Sequence, residues 1–127
     1  MEDVDLTVPL RFEPSFKAGK NPVTAVAFAE DLFPGACGEA DYGIMSIGTE
    51  SGRIEIWAVP VSSNVFSLNN RASRGPSLLY TIPSNDSHFD TVKKLAWRPS
   101  TSFADVSFAS CGRDCGVRVY HLFFDTS

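Results

Sequence analysis

An internal repeat constrains the fold of this chain more than any other feature of its sequence. The segment that begins at Val23 aligns with the one that begins at Val92, and 48–57 aligns with 111–120. Each copy consists of two apolar runs, a tight turn and a third run that ends on a large aromatic, Trp57 or Tyr120. Self-similarity of this kind marks folds that use one structural unit more than once. The sequence therefore predicts two copies of a single unit.

The runs themselves have the composition and the period of β-strands. Their residues are apolar, β-branched or alternating with polar ones, and clusters rich in Gly and Pro separate them. The predicted strands are 23–28, 44–48, 53–57, 78–82, 92–97, 106–110 and 117–120. A further strand at 6–12 contains Pro9, which restricts it to a sheet edge. The prediction is an all-β chain with about two four-stranded antiparallel units.

The order of these strands predicts an incomplete assembly. The whole chain, 1–127, is interpreted as one fragment in which 6–12 belongs to a preceding unit. The first unit covers 20–86, with a long loop at 60–77, and the second covers 87–127 without its fourth strand. Two such units leave apolar faces and strand edges open. We expect further units of the same fold, or copies of this chain, to cover them.

Charge and cysteine content exclude several classes of function. The chain has 11 Lys and Arg against 15 Asp and Glu, a net charge of −4, which disfavours a general electrostatic grip on nucleic acid or anionic lipid. No apolar run approaches the roughly 20 residues that span a bilayer. Three cysteines suit a reducing compartment better than a disulfide scaffold. The predicted location is the cytoplasm, with the nucleus as an additional site.

A four-stranded unit whose third strand ends in Trp resembles a blade of the WD-repeat β-propeller family. Blades of that family share a hydrogen-bonded chain of His, Ser or Thr, Asp and Trp. The positions that match it in the second copy are His88, Ser110, Asp114 and Tyr120. The positions that match it in the first copy are Gly19, Ile47, Ser51 and Trp57. The resemblance implies a structural network in the second unit, whereas the first keeps only Trp57 and is expected to rely on apolar packing.

Several segments resemble one branch of this family more closely. The segments 22–28, 48–57, 90–99 and 108–120 are similar to the carboxyl-terminal blades of the second, scaffold subunit of the Elongator complex. This resemblance implies a non-catalytic scaffold for protein–protein assembly in a complex that modifies the wobble uridine of tRNA. The implied partners are other subunits of that complex, including a catalytic one. The alternatives are a scaffold of another WD-repeat complex and an RNA-contacting module.

Metal binding and catalysis are weighed against these interpretations. Cys111 and Cys115, with Cys37, His88 and His121 elsewhere in the chain, are potential metal ligands, but the spacing of the first two differs from that of common zinc knuckles. Ser110, His88 and Asp114 include the residue types of a catalytic triad. The structural network explains the same residues better. The sequence therefore predicts no enzyme, no cofactor and no metal.

Contact with RNA is the remaining alternative. Arg71 and Arg74 form one small basic cluster, and Lys93, Lys94 and Arg98 form another. Phe89 and Trp97 are aromatic residues near the second cluster that could stack on bases. The simpler interpretation makes the two lysines a solvated strand face and Trp97 a core residue. Protein–protein contact is thus the default function.

Overall fold

Two open antiparallel sheets make up the described part of the chain. The computed structural model describes residues 21–35, 41–60, 75–99 and 106–123. Its strands are β1 (Val23–Phe28), β2 (Tyr42–Thr49), β3 (Ile54–Pro60), β4 (Ser77–Ile82), β5 (Val92–Trp97), β6 (Val106–Gly112) and β7 (Val117–Leu122). Sheet A has the order β1-β2-β3-β4, and sheet B has the order β5-β6-β7. The prediction of an all-β fold with two blade-like antiparallel sheets is confirmed. The strand predicted at 6–12 lies outside the described residues.

The loops that follow β1 and β3 differ from the sequence prediction. β3 extends to Pro60 and β4 begins at Ser77, so both ends of the predicted 60–77 loop belong to strands. The predicted loop between β1 and β2 also contributes Phe33, which is buried and exchanges backbone hydrogen bonds with Tyr42. The two rings stack with centroids 5.9 Å apart. An apolar side chain in a segment rich in Gly and Pro is therefore part of the core.

The two sheets share the same strand register, including its irregularities. The β1–β2 ladder is irregular between Val23 and Ala25, and the β5–β6 ladder is irregular between Val92 and Lys94. These sites match in the sequence alignment of the two copies. In both sheets the first strand pairs with the second, and the second with the third, in antiparallel order. The repeat in the sequence is thus also a repeat in the structure.

The tight turns of the two units also have the same geometry. In the first, Gly52 N donates to Thr49 O at 3.1 Å, and in the second, Cys115 N donates to Gly112 O at 3.1 Å. Gly52 has φ 95° and Cys115 has φ 68°, so both occupy the left-handed region. A type I turn followed by one left-handed residue is a common three-residue hairpin loop. The cysteine stands where glycine is normally preferred.

The hydrophobic core lies between the two sheets. Its fully buried members include Ile44, Ile54, Ile56, Val92 and Phe108. Burial of one such side chain stabilises a fold by about 1.5–3 kcal/mol. Sheet B approaches sheet A closely where β5 passes β1 and β2. A side chain at Gly48 would place its Cβ 2.5 Å from Val92 Cγ1, so this close approach requires glycine.

Polar side chains link the sheets along the same seam. Trp97 Nε1 lies 3.0 Å from Ser46 Oγ and 3.3 Å from Ala27 O, and both oxygens can accept its hydrogen. Thr24 Oγ1 donates to Val92 O at 2.6 Å. Each of these bonds joins a residue of sheet B to one of sheet A. Apolar packing and hydrogen bonding therefore hold the sheets together at their β1 and β5 sides.

Candidate functional site

His88 is the centre of the most connected polar cluster in the described residues. It precedes β5 and is fully buried, with 0% of its surface exposed. Its Nδ1 lies 2.9 Å from Asp114 Oδ1, and its Nε2 lies 2.7 Å from Ser110 Oγ. Because an ionised carboxylate can only accept, Nδ1 carries the hydrogen that bonds to Asp114. The structure thus brings together three of the residues selected from the sequence.

Asp114 joins this cluster to the turn between β6 and β7. Its Oδ1 also accepts from Gly116 N at 3.0 Å, and its Oδ2 accepts from Phe89 N at 3.2 Å. The pKa of Asp114 lies below its ordinary value of 3.8, first because His88 hydrogen-bonds the carboxylate, and then because the Gly116 and Phe89 amides do. Burial acts in the opposite direction and is outweighed. The charged form of Asp114 therefore fixes both the turn and the segment before β5.

Tyr120 does not extend the chain through Ser110. Its hydroxyl lies 3.4 Å from Asp86 O, and the structure records no hydrogen bond between Tyr120 and Ser110. The ring instead stacks on that of Phe108, with centroids 5.0 Å apart. The rings of Phe108 and Trp97 are also in contact, with centroids 4.7 Å apart. The tyrosine hydroxyl lies at the far end of its ring, whereas an indole N–H lies on the side of its ring. Tyr120 thus contributes an aromatic surface to the core and leaves the polar cluster with three side chains.

The first unit has a polar network that the sequence analysis missed. Trp57 Nε1 donates to Glu55 Oε1 at 2.9 Å, and Arg53 Nη2 lies 2.7 Å from Glu55 Oε2. Glu55 is buried, with 5% of its surface exposed. The expectation that this unit relies on apolar packing alone is therefore wrong. Arg53, Glu55 and Trp57 are spaced two residues apart, along β3 and the residue just before it, so their side chains lie on one face. That spacing is visible in the sequence and could have indicated the network.

The remaining positions of the first copy that match the blade network have other roles. Ile47 is buried on β2, and Ser51 Oγ lies 3.1 Å from Thr49 Oγ1 within the turn. Ile47 lies opposite Glu55 in the β2–β3 ladder, but its apolar side chain takes no part in the polar network. Gly19 lies outside the described residues. The two units thus use different side chains for polar support in the same backbone framework.

The cluster of Ser110, His88 and Asp114 has the connectivity of a catalytic triad. A serine, a histidine and an aspartate are joined in that order through Nε2 and Nδ1. A nucleophile must reach its substrate, however, and Ser110 is 1% exposed while His88 is 0% exposed. In the described structure the serine hydroxyl is enclosed in the core, where its contact with His88 stabilises the fold.

The potential metal ligands are dispersed. Cys111 is half-buried, Cys115 is exposed, and both are free thiols. Both ring nitrogens of His88 are used by Ser110 and Asp114. In the part of the chain that the structure describes, no group of three or more His, Cys, Asp or Glu side chains could hold a metal ion. Cys37 lies outside that part.

The residues considered for RNA contact are also separated in the fold. Trp97 is half-buried and its indole nitrogen bonds to sheet A, so its ring is held in the seam between the sheets. Phe89 is 73% exposed, and Lys93 and Lys94 are exposed. Arg71 and Arg74 lie outside the described residues. Of the two aromatic residues considered for stacking on bases, Phe89 is therefore exposed and Trp97 is held between the sheets.

Among the described residues, no strand covers the face of sheet B that points away from sheet A, and we call this face the outer face. Directly paired residues share a face, and on this face Ala96 pairs with Ala109 and Ala109 with Val119. Val117 and Val119 are 72% and 62% exposed. A shallow groove of about 220 Å³ crosses the same face between Lys94 and Val117. The outer face is thus an apolar sheet surface without a covering layer among the described residues.

A second apolar surface lies between the outer strands of the two sheets. It is a cleft of about 480 Å³. Its lining residues are Tyr42, Ile56, Leu79, Tyr80, His121, Leu122 and Phe123. Tyr80 is 64% exposed and Phe123 is 86% exposed. The sheets therefore pack tightly at β1 and β5 and leave a wedge between β4 and β7.

Comparisons with protein families and with curated proteins found no relative of this chain. No protein-family model matches the chain, and no curated protein matches it. Among the described residues, no helix has both the length and the apolar character that crossing a membrane requires.

Proposed function

We propose that this chain forms blades of a WD-repeat β-propeller and acts as a non-catalytic scaffold in the Elongator complex. In that role it assembles protein subunits in the cytoplasm, and in the nucleus as well, while a separate catalytic subunit modifies the wobble uridine of tRNA. The repeat of strand register and turn geometry supports the blade assignment. The segments that resemble the scaffold subunit support the assignment to Elongator.

The open outer face is the observation that carries the assembly role. Ala96, Ala109, Val117 and Val119 form a contiguous apolar surface on a sheet whose other face is already buried. Exposed apolar surfaces of this kind mark sites of protein contact. In a propeller each blade packs its faces against both neighbours, so this surface suits a further blade. The partner predicted for the outer face is therefore another β-sheet, from the remaining blades or from another subunit.

Burial of the triad-like residues supports the non-catalytic role. The only described serine–histidine–aspartate cluster has its serine and histidine enclosed in the core. Its bonds hold the turn and the segment that precedes β5. The cluster is thus accounted for by structural stabilisation.

Co-purification of the tagged chain with the other Elongator subunits of the same source tests this proposal. We expect the catalytic subunit to co-purify with the wild-type chain. Ala96→Glu and Ala109→Glu place charges on the outer face and should reduce the recovered catalytic subunit at least tenfold, since burying an unpaired carboxylate costs several kcal/mol. Asn85→Glu is the matched control, because Asn85 is exposed in the turn Ser84–Asp86 and lies on neither sheet face.

Three results would overturn parts of this proposal. Failure of the wild-type chain to recover any Elongator subunit would contradict the Elongator assignment. Recovery that Ala96→Glu and Ala109→Glu leave unchanged would contradict the role of the outer face. Binding of tRNA by the purified chain that weakens steeply with salt, and on charge reversal of Arg71 and Arg74, would favour the RNA-contacting alternative.

A further inference from the structure

Among the described residues, β7 is an open sheet edge. It pairs with β6 on one side, and no described strand lies on its other side, whereas sheet A has a fourth strand in the matching place. Proteins usually protect such edges with Pro, Lys or a covering segment, because unpaired backbone groups recruit other strands. The sequence of β7, VRVYHL, contains neither Pro nor Lys. The edge is therefore open to pairing with another chain.

The hydrogen bonds of the turn identify which β7 residues face this edge. Gly112 N donates to Gly116 O at 3.2 Å, and the ladder continues from there with Ser110 opposite Arg118. Hydrogen-bonded pairs alternate along an antiparallel ladder. Even-numbered β7 residues thus direct their backbone groups to β6. Val117, Val119 and His121 direct their N–H and C=O groups outward.

We propose that two copies of this chain pair through β7, antiparallel to each other, about a twofold axis at Val119. This inference rests on the proposed function only in treating the open sheet surfaces as assembly surfaces. Val119 then faces Val119 of the second copy, and Val117 faces His121 of the second copy. Arg118 faces Tyr120 of the second copy. The occupant of this edge is therefore a second copy of the chain.

The side chains of β7 favour this register over its neighbours. The register centred on Val119 uses all three residues whose backbone groups face outward. A register centred on Arg118 would place two guanidinium groups directly opposite each other, and like charges in that position destabilise a sheet. A register centred on Tyr120 would leave Val117 without a partner inside β7. Sliding one β7 strand along the other by a single residue would place outward-facing backbone groups of one copy opposite groups of the other copy that already bond to β6.

Charge and shape are also self-complementary at the Val119 register. Arg118 Nε donates to Ser87 O at 2.7 Å, which holds the guanidinium beside the strand. In the paired dimer this cation lies opposite the ring of Tyr120, an arrangement that allows a cation–π contact. Val117 and Val119, at 72% and 62% exposure, gain cover from the apposed strand. Isologous twofold pairing of this type is the commonest form of association between identical chains.

Disulfide trapping tests both the pairing and its register. Residues opposite each other in a hydrogen-bonded antiparallel pair have Cα atoms about 5.5 Å apart, which is within the range for a disulfide. We would place single cysteines in a background with Cys37, Cys111 and Cys115 changed to serine. Val119→Cys should crosslink to itself under mild oxidation. Val117→Cys should crosslink poorly alone and efficiently when mixed with His121→Cys.

Val26→Cys is the matched control, since its exposed side chain lies on β1, away from this edge. We expect Val119→Cys to form dimers at least about tenfold faster than Val26→Cys, because pairing raises the effective concentration of the two thiols. Equal rates for these two variants would overturn the proposal. A rate for Val117→Cys alone that equals that of Val119→Cys would overturn the register.

Val119→Pro provides a second test that spares the fold. The N–H of Val119 faces outward, so proline at this position removes no bond to β6. In the native-cysteine chain this variant should sediment as a monomer at concentrations at which the wild type is dimeric. A wild type that is itself monomeric would refute the pairing. Neither result bears on the scaffold proposal, which the variants of Ala96 and Ala109 test separately.

Discussion

At the scale of single residues, Cys115 holds a backbone conformation that its side chain makes costly. Its φ of 68° lies in the left-handed region, and the matching residue of the first unit is Gly52 at φ 95°. For a residue with a Cβ this conformation costs about 1–2 kcal/mol. The turn is nevertheless formed, because Asp114 and the ladder between β6 and β7 hold it on both sides.

Cys115→Gly should therefore stabilise the chain. Relief of the left-handed strain is partly offset by the greater backbone freedom of glycine in the unfolded state, which leaves a net gain of up to about 1 kcal/mol. Urea denaturation followed by circular dichroism measures this gain as a higher midpoint. Cys115→Ala is the control, because it removes the thiol but keeps the Cβ, and it should give no gain. Destabilisation by Cys115→Gly would contradict the assigned turn.

The ionised form of Asp114 should make stability depend on pH in the acid range. Its pKa is lower in the folded chain than its ordinary value of 3.8, chiefly through His88. A group with a depressed folded pKa contributes stability that is complete above its unfolded pKa and is lost as pH falls through its folded pKa. We expect the free energy of unfolding to fall as pH drops below about 3.8.

Asp114→Asn should reduce that acid slope. The amide does not titrate, so the variant should be less stable than the wild type near neutral pH and lose less stability on acidification. Urea denaturation at a series of pH values compares the two slopes. Identical slopes would show that another carboxylate accounts for the acid sensitivity.

The resemblance to WD-repeat blades correctly indicated which side chains meet in the polar cluster of the second unit. His88, Ser110 and Asp114 were selected together, and the structure places them in hydrogen-bond contact. The hydroxyl of Tyr120 was misplaced, because which acceptor a long side chain reaches depends on the packing of its ring. No sequence pattern predicts that the Tyr120 ring stacks on Phe108, with ring centroids 5.0 Å apart.

At the scale of secondary structure elements, β3 shows how one strand can carry a polar network. The side chains that contribute are Arg53, Glu55 and Trp57, with Glu55 as the shared acceptor. The sequence analysis identified the alternation but assigned the face to apolar packing. Whether a carboxylate on a strand faces water or the core depends on what covers that face, which the sequence of the strand alone does not specify.

Glu55→Ala should destabilise the chain by about 2–3 kcal/mol. The substitution leaves the half-buried indole N–H of Trp57 without this acceptor and removes the charged partner of Arg53. Urea denaturation at neutral pH measures the loss. Thr81→Ala is a suitable control, because Thr81 pairs with Glu55 across the β3–β4 ladder but is not part of the network. A loss no larger than that of the control would contradict the structural role of Glu55.

At the scale of the whole molecule, the sheets pack at one side and diverge at the other. The seam between β1 and β5 is closed by Trp97, Thr24 and the close approach at Gly48. The wedge between β4 and β7 stays open, with a volume of about 480 Å³. Strand periodicity predicted the sheets but not this wedge, because the angle between two sheets follows from side-chain volumes brought together from distant parts of the chain.

The open surfaces lead to one proposal for the whole molecule, which is that copies of this chain associate through their exposed sheet surfaces. The apolar outer face favours contact with other β-structure, as do the outward backbone groups of β7, which have no partner strand in the described part of the chain. The enclosed serine and histidine favour a structural role over a reaction. We therefore propose association, rather than a reaction, as the activity of this chain.

Sedimentation equilibrium of the purified chain over a range of concentrations tests this claim most directly. We expect a mass above the 13.8 kDa of one chain, approaching twice that value as concentration rises and β7 edges pair. A well-folded species that remains at 13.8 kDa at every concentration would contradict it.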